Sequence, residues 1–269
     1  MPLVKRRKSA IAAIKWLSAI SDLAMGRRRG PRLLIYHQVG ARSGLEMDLE
    51  PEAFEMQLDW MTERGEIVDL DTALARWDTP GSDRLYVLTF DDGHLSLFEN
   101  AFPLMVHRRV PFTLYVTTAP LESDGRLHGD ERMALMSWDH LRAMQRSGLM
   151  TVGAHGHLHL DARIHPQSVL AEDIQRCNDL LMKRLGVEPR HFAYPWGHRS
   201  DAAEVLVKQH YHSAAIGSQA YPGGRIDIHR ISRIPVMYSD GSAALFIRKM
   251  WGGFRLEAML RSLKDRLAP

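Results

Sequence analysis

The chain has 269 residues, 45% of them hydrophobic and 25% charged, enough to bury a full core in one large α/β domain or two small ones. A single cysteine, Cys177, excludes an intrachain disulfide and any cysteine-based zinc site. The net charge of +3 is not evenly spread: the first 32 residues hold nine Lys or Arg against one acid, Asp22, and that +8 leaves −5 for the rest. Basicity confined to one arm argues against nucleic-acid binding by the domain itself.

Residues 1–31 form that basic arm. Between the clusters Lys5–Lys8 and Arg27–Arg29 lies an apolar stretch broken by Lys15 and Asp22. It is too short and too polar for a spanning helix, which needs ~20 mostly apolar residues, and it lacks the clean apolar run of a signal peptide. Ile11, Ile14, Leu17 and Ile20 recur at helical spacing. Two readings stay open: peripheral contact with an anionic membrane surface, or an amphipathic helix docked on its own domain. Without a clear signal peptide, the expected location is the cytoplasm or the inner face of the membrane.

From residue 32 short apolar runs alternate with helical stretches. Strands are expected at "LLIYH", "LYVLTF", "PFTLYVTT", "LMTVGAH", "HFAYP", "SAAIG" and "ISRIPV". Helices are expected between them at "PEAFEMQLDWMTER", "FENAFPLMVHRR" (interrupted by Pro103), "SWDHLRAMQRSG", "HPQSVLAEDIQRCNDLLMKRLG" and "SDAAEVLVKQHY". This order means a parallel sheet with helices outside, as a barrel or an open doubly wound sheet. A C-terminal amphipathic helix is expected over 246–269, where Leu256, Met259, Leu260, Leu263 and Leu267 recur at helical period.

Several strands end in residues with chemical potential: Tyr36-His37, Asp91-Asp92, His155, and Tyr194-Pro195-Trp196. In parallel barrels catalytic groups collect at the C-terminal strand ends, so these would share one rim. "VGAHGHLHLD" carries three histidines at alternate positions; one helical turn or tight loop would bring His155 and His159, four apart, onto one face, and an extended strand would put all three on the same side. Two imidazoles and a carboxylate suit a zinc site with an open position, and equally a non-heme iron site. Adjacent residues of an extended strand point to opposite sides, so one Asp is expected on the metal and the other free as a base. A free base favours hydrolysis.

"TFDDG", "HGHLH" and "FAYPWG", in that order, resemble the first three motifs of the polysaccharide deacetylases, the NodB-homology domain of carbohydrate esterase family four. The flanking "LLIYHQVG", "VPFTLYVTT", "MSWDHLRAMQRSG" and "RISRIPV" look alike too, over about residues 32–238. The resemblance implies a single-domain distorted (β/α) barrel, seven-stranded and TIM-barrel-like, over residues 32–245. It implies one divalent ion, zinc or else cobalt, nickel or manganese, on Asp92, His155 and His159. Asp91 would be the general base acting on water at the metal. The Trp196 backbone N–H would help hold the oxyanion, and His37, Tyr194, Pro195 and Trp196 would line the sugar site.

The sequence departs from the family pattern in several places. Gly156 stands where a hydroxyl residue is usual, Leu160 where proline is common, and Ala193 where many members carry an arginine that orients the base. The late motif that supplies the general-acid histidine has no clear match; His229 is the nearest candidate, in a stretch that aligns better through Arg233. The implied activity is removal of N-acetyl groups, or O-acetyl groups, from a bacterial glycan or a lipid-linked sugar precursor. Alternatives are a barrel hydrolase acting on a non-sugar amide, and a silent glycan-binding barrel, against which an intact Asp91 argues.

Overall fold

A computed structural model describes residues 14–22, 30–217 and 226–252, with 254, 256–257 and 259–260. The basic clusters at 5–8 and 27–29, Ile11, and the last leucines of the C-terminal stretch lie outside the described residues. Residues 14–22 form a first helix, α1. In chain order there follow β1 (Arg32–Tyr36), β2 (Gln38–Val39), β3 (Asp48–Leu49), α2 (Pro51–Arg64), β4 (Glu66–Ile67), α3 (Leu70–Ala75) and β5 (Leu85–Asp92). Next come α4 (Phe102–Arg108), β6 (Phe112–Val116), α5 (Trp138–Gln145), β7 (Met150–Ala154), α6 (Gln167–Leu185) and β8 (His191–Ala193). The series ends with α7 (Asp201–His210), β9 (Ser213–Ile216), β10 (Ile231–Ser232), β11 (Ile234–Pro235) and α8 (Ala243–Gly252).

The sheet is a parallel barrel. Its order is β10-β9-β8-β7-β6-β5-β1-β11. The two ends of that path are neighbours in sequence, separated only by Arg233. Ile231 pairs with Ala215 of β9 while Ile234 pairs with Leu34 of β1. Counting 231–235 as one staple, seven strands close on themselves, as the resemblance implied.

The seven predicted strands and five predicted helices all form. The short strands β2, β3 and β4 were not foreseen, because two residues carry no readable periodicity. Pro103 does mark an irregularity: a π turn over Leu97–Ala101 precedes α4. The C-terminal helix begins at Ala243, slightly ahead of the expected 246.

Period-two alternation decides what each strand sends inward. In β5, Tyr86, Leu88 and Phe90 join the large core between strands and helices, while Leu85 and Val87 join the smaller cluster that fills the barrel. Thr89 and Asp91 continue the inward row. Gly153 of β7 leaves room for a neighbour: a Cβ there would stand 2.5 Å from the Tyr115 ring, which fills the barrel behind the site.

Outside the barrel one buried acid ties three elements together. Glu204 of α7 pairs with Arg230 at 2.7 Å, Lys208 at 2.7 Å and Arg199 at 2.9 Å. Burial alone would raise its pKa, but hydrogen bonds from Arg230 and Lys208 and the charge of Arg199 bring it down to about 2. Its stabilisation is therefore complete above the ordinary value of 4.5 and lost as pH falls towards about 2. Glu204→Gln is expected to cost about 2 kcal/mol at neutral pH, discounted because its cationic partners are partly in solvent. In denaturant titrations that difference should shrink steadily below pH 4.5; a constant difference would contradict the assignment.

Candidate active site

Four strand ends bring the chemistry to the C-terminal rim of the barrel. There a cleft of about 880 Å³ is lined by His37, Asp91, Asp92, His155, His159 and Trp196, among others. Asp91 arrives by simple alternation. Asp92, one residue on, would point outward on an extended strand; instead its φ of 70° turns the carboxylate back over the rim. The expectation of opposite-facing carboxylates is thus corrected. His155 Nε2 lies 3.7 Å from Asp91 and 3.5 Å from Asp92, so both acids face one point. Asp tolerates this left-handed backbone better than most residues.

Asp92, His155 and His159 offer ligand atoms that all lie within 4.8 Å of one another, and all three are buried. The remaining heteroatom of each is already engaged. His155 Nδ1 donates to the Ala193 carbonyl at 2.7 Å, which leaves Nε2 with its lone pair facing Asp92. His159 Nδ1 is 3.2 Å from His128 Nε2, and Asp92 Oδ2 is 3.2 Å from His94 Nε2. Asp92 Oδ1 is buried with no hydrogen-bond partner, 3.4 Å from His159 Nε2. An orphaned carboxylate oxygen facing two imidazole nitrogens fits a divalent cation: three protein ligands, each oriented from behind.

Burial lowers the His159 pKa to about 3, against the pull of Asp92, which keeps the ring neutral and able to ligate. Burial works against ionisation of Asp92 too. The hydrogen bond with His94 and the nearby imidazoles outweigh it and hold the group well below the usual carboxylate range. His94→Ala and His128→Ala are each expected to weaken zinc binding by about 10–100-fold. Chelator competition would check this, and unchanged affinity would deny both rings their orienting role.

Asp91 is held by Arg233. The guanidinium donates to both carboxylate oxygens, at 2.6 and 2.7 Å, and is itself fully buried. It also donates to Thr89 Oγ1 and packs over the Tyr115 ring. Burial pushes the Asp91 carboxyl up, but Arg233 and His155 prevail and the pKa is lowered. The arginine absent at Ala193 is therefore supplied from the barrel seam, between β10 and β11.

Asp173 of α6 answers the departure at Gly156. Its carboxylate accepts the backbone N–H groups of His157 and Leu158, at 2.8 and 2.7 Å, and so holds the loop between His155 and His159. Gly156 leaves that space free: a Cβ there would meet Asp173 Oδ2 at 2.6 Å.

His37 extends the inward row of β1 and reaches the cleft, with Nδ1 buried and unpartnered. Burial lowers its pKa, against the attraction of Asp92 and Asp91. Trp196 has a φ of 62°, stacks on His128 at 5.3 Å and donates from its indole to the His159 carbonyl. Asp92, His128, His159 and Trp196 are four of the seven non-glycine residues with positive φ among the described residues. Such strain concentrates at functional sites.

Three expectations are corrected. Tyr194 is buried on the outward row of β8, edge-on to Phe192, and does not line the cleft. Pro195 is buried beside Gly156 and does not line it either. His229 sits just before β10, 3.1 Å from the Tyr211 carbonyl that precedes β9, at the opposite end of the barrel. It is too far along its strand to protonate anything at the rim. His94, His128 and Asp173 were not foreseen. Of these only His94, next to the Asp-Asp-Gly turn, carried a signal by position.

A model of the polysaccharide deacetylase family matches residues 78–215, just over half of the chain, and the chain belongs to that family. It is 28% identical over 180 residues to the poly-beta-1,6-N-acetyl-D-glucosamine N-deacetylase of Staphylococcus epidermidis. That match covers 62% of this chain, which spans 58% of the relative's length. Among solved structures, IcaB from Ammonifex degensii superposes with a TM-score of 0.71 at 25% identity, covering 83% of this chain and 98% of IcaB. The Streptococcus pyogenes deacetylase PplD, in complex with acetate, gives 0.69 at 19% identity, covering 83% and 99%; at that identity the likeness concerns the fold.

Proposed function

We propose that the chain is a metal-dependent hydrolase that removes N-acetyl groups from a poly-N-acetylglucosamine-type polymer. The observation that carries this reading is Asp91, held by Arg233 beside a buried triad in which Asp92 Oδ1 has no hydrogen-bond partner. The substrate class rests on the likeness to the Staphylococcus epidermidis enzyme. Asp92, His155 and His159 would hold a divalent ion, zinc by the chemistry of that donor set, which when bound would supply positive charge to acidify water and polarise the acyl oxygen.

The chain's own groups divide the proton work. Asp91 accepts a proton from the attacking water, its orientation fixed by the two Arg233 bonds. The departing amine nitrogen takes up the proton that Asp91 has accepted, relayed through the neutral His37 ring, as the carbon–nitrogen bond breaks, leaving acetate and a free amine. Among the imidazoles lining the cleft, His128 and His159 hold each other, His155 holds a carbonyl and His198 pairs with Asp161; His37 Nδ1 is uncommitted. The exposed face of Trp196 offers a wall for a pyranose ring, and its backbone N–H is the proposed donor to the oxyanion.

Acetate release should be compared on β-1,6-linked and β-1,4-linked N-acetylglucosamine oligomers and on an O-acetylated xylan. Faster release from the β-1,6 series is expected. Release from the xylan alone would replace the amide reading with an ester one.

A further inference from the structure

Helix α1 is packed inside out. Lys15, Ser18 and Asp22, spaced along one face, are all fully buried. Lys15 pairs with Asp240, which also takes the Lys249 ammonium of α8 at 2.7 Å; Asp22 accepts the Phe254 N–H at 2.8 Å. The other side of α1 presents Ile14, Trp16, Leu17 and Ile20 to solvent, at 37% to 60% exposure. An amphipathic helix on a water-facing surface does the reverse. Burying charges costs desolvation that their pairing only offsets, and apolar area left in water forgoes about 25 cal/mol per Å². A helix that accepts both penalties has an apolar partner on its outer side.

The neighbouring helix continues the same surface. Ile247 and Trp251 of α8, four residues apart, are exposed, and the Arg248 guanidinium lies 5.2 Å over the Trp16 ring, tying the two helices together. Two tryptophans in such a face suit a boundary where one side is oily and the other wet. In sequence α1 is bracketed by Lys5-Arg6-Arg7-Lys8 and Arg27-Arg28-Arg29. Two copies of so basic a segment would repel, whereas an anionic lipid surface would attract both clusters.

We infer that the joint outer face of α1 and α8 docks the protein on an anionic lipid bilayer, lying in its surface. Among the described residues no helix is long and apolar enough to cross a membrane. Asp240, the acid that clamps α1, follows three residues after Met237, which lines the cleft.

The test is sedimentation of the full chain with phosphatidylcholine vesicles, with and without phosphatidylglycerol. Wild type should bind the anionic vesicles selectively and release with salt. Leu17→Asp with Ile20→Asp should weaken binding by about tenfold or more, with circular dichroism unchanged. Arg27, Arg28 and Arg29 all changed to Gln should do the same with residues 14–22 unaltered, and guard against a folding defect in the first variant. The proposal is overturned if wild type does not prefer anionic vesicles, or if both variants bind as wild type does. It is equally overturned if light scattering shows a dimer that the Leu17 and Ile20 changes dissolve, since the face would then cover a second copy.

Discussion

Asp91→Asn is expected to reduce acetate release by about 10²–10⁴-fold while leaving the bound metal in place, the range general acid–base help supplies. Asn is isosteric and can still accept a hydrogen bond from Arg233, so the rim keeps its shape. It cannot take a proton from water. Because Asp92, His155 and His159 are untouched, metal content by elemental analysis should match wild type. The loss should fall on kcat, measured well below the unfolding temperature. Loss of metal together with activity would mean that Asp91 is a ligand and not a base.

Arg233→Met should have the larger effect on stability. It leaves the Asp91 carboxylate buried, 3% exposed, without its bidentate partner. Breaking a buried pair from one side costs about 3–5 kcal/mol, because an uncompensated charge remains. Activity should fall too, since nothing then fixes the base. The double variant Asp91→Asn with Arg233→Met should be more stable than Arg233→Met alone, with a large coupling energy in denaturant titrations. Simple additivity of the two losses would show that the pair is not the unit described here.

Much of this was readable from the strands alone, because one rule carried it. With inward rows at odd positions, "LLIYH" sends His37 into the barrel, "LYVLTFDD" sends Asp91, and "LMTVGAH" sends His155. The same rule applied to "HFAYP" sends Ala193 inward and Tyr194 outward, so the misplacement of Tyr194 was avoidable. Asp92 escaped the rule because its left-handed φ is set by the turn into Gly93, which periodicity does not encode. His128 and Asp173 escaped it for another reason. They come from a loop and from a helix far away in sequence, and only barrel closure brings them to the rim. Arg233 was visible as a matched position, but its partner depends on the break between β10 and β11. The inverted face of α1 was hidden likewise, since helical spacing locates an apolar stripe without saying which side meets the protein.

Hydrolysis is proposed to depend on a cation held by Asp92, His155 and His159. The most direct measurement is acetate release from β-1,6-linked N-acetylglucosamine oligomers before chelation, after chelation, and after zinc is returned, with bound metal counted at each stage. Activity that disappears with the metal and returns at about one zinc per chain is the predicted result. Undiminished release from metal-free protein would contradict it.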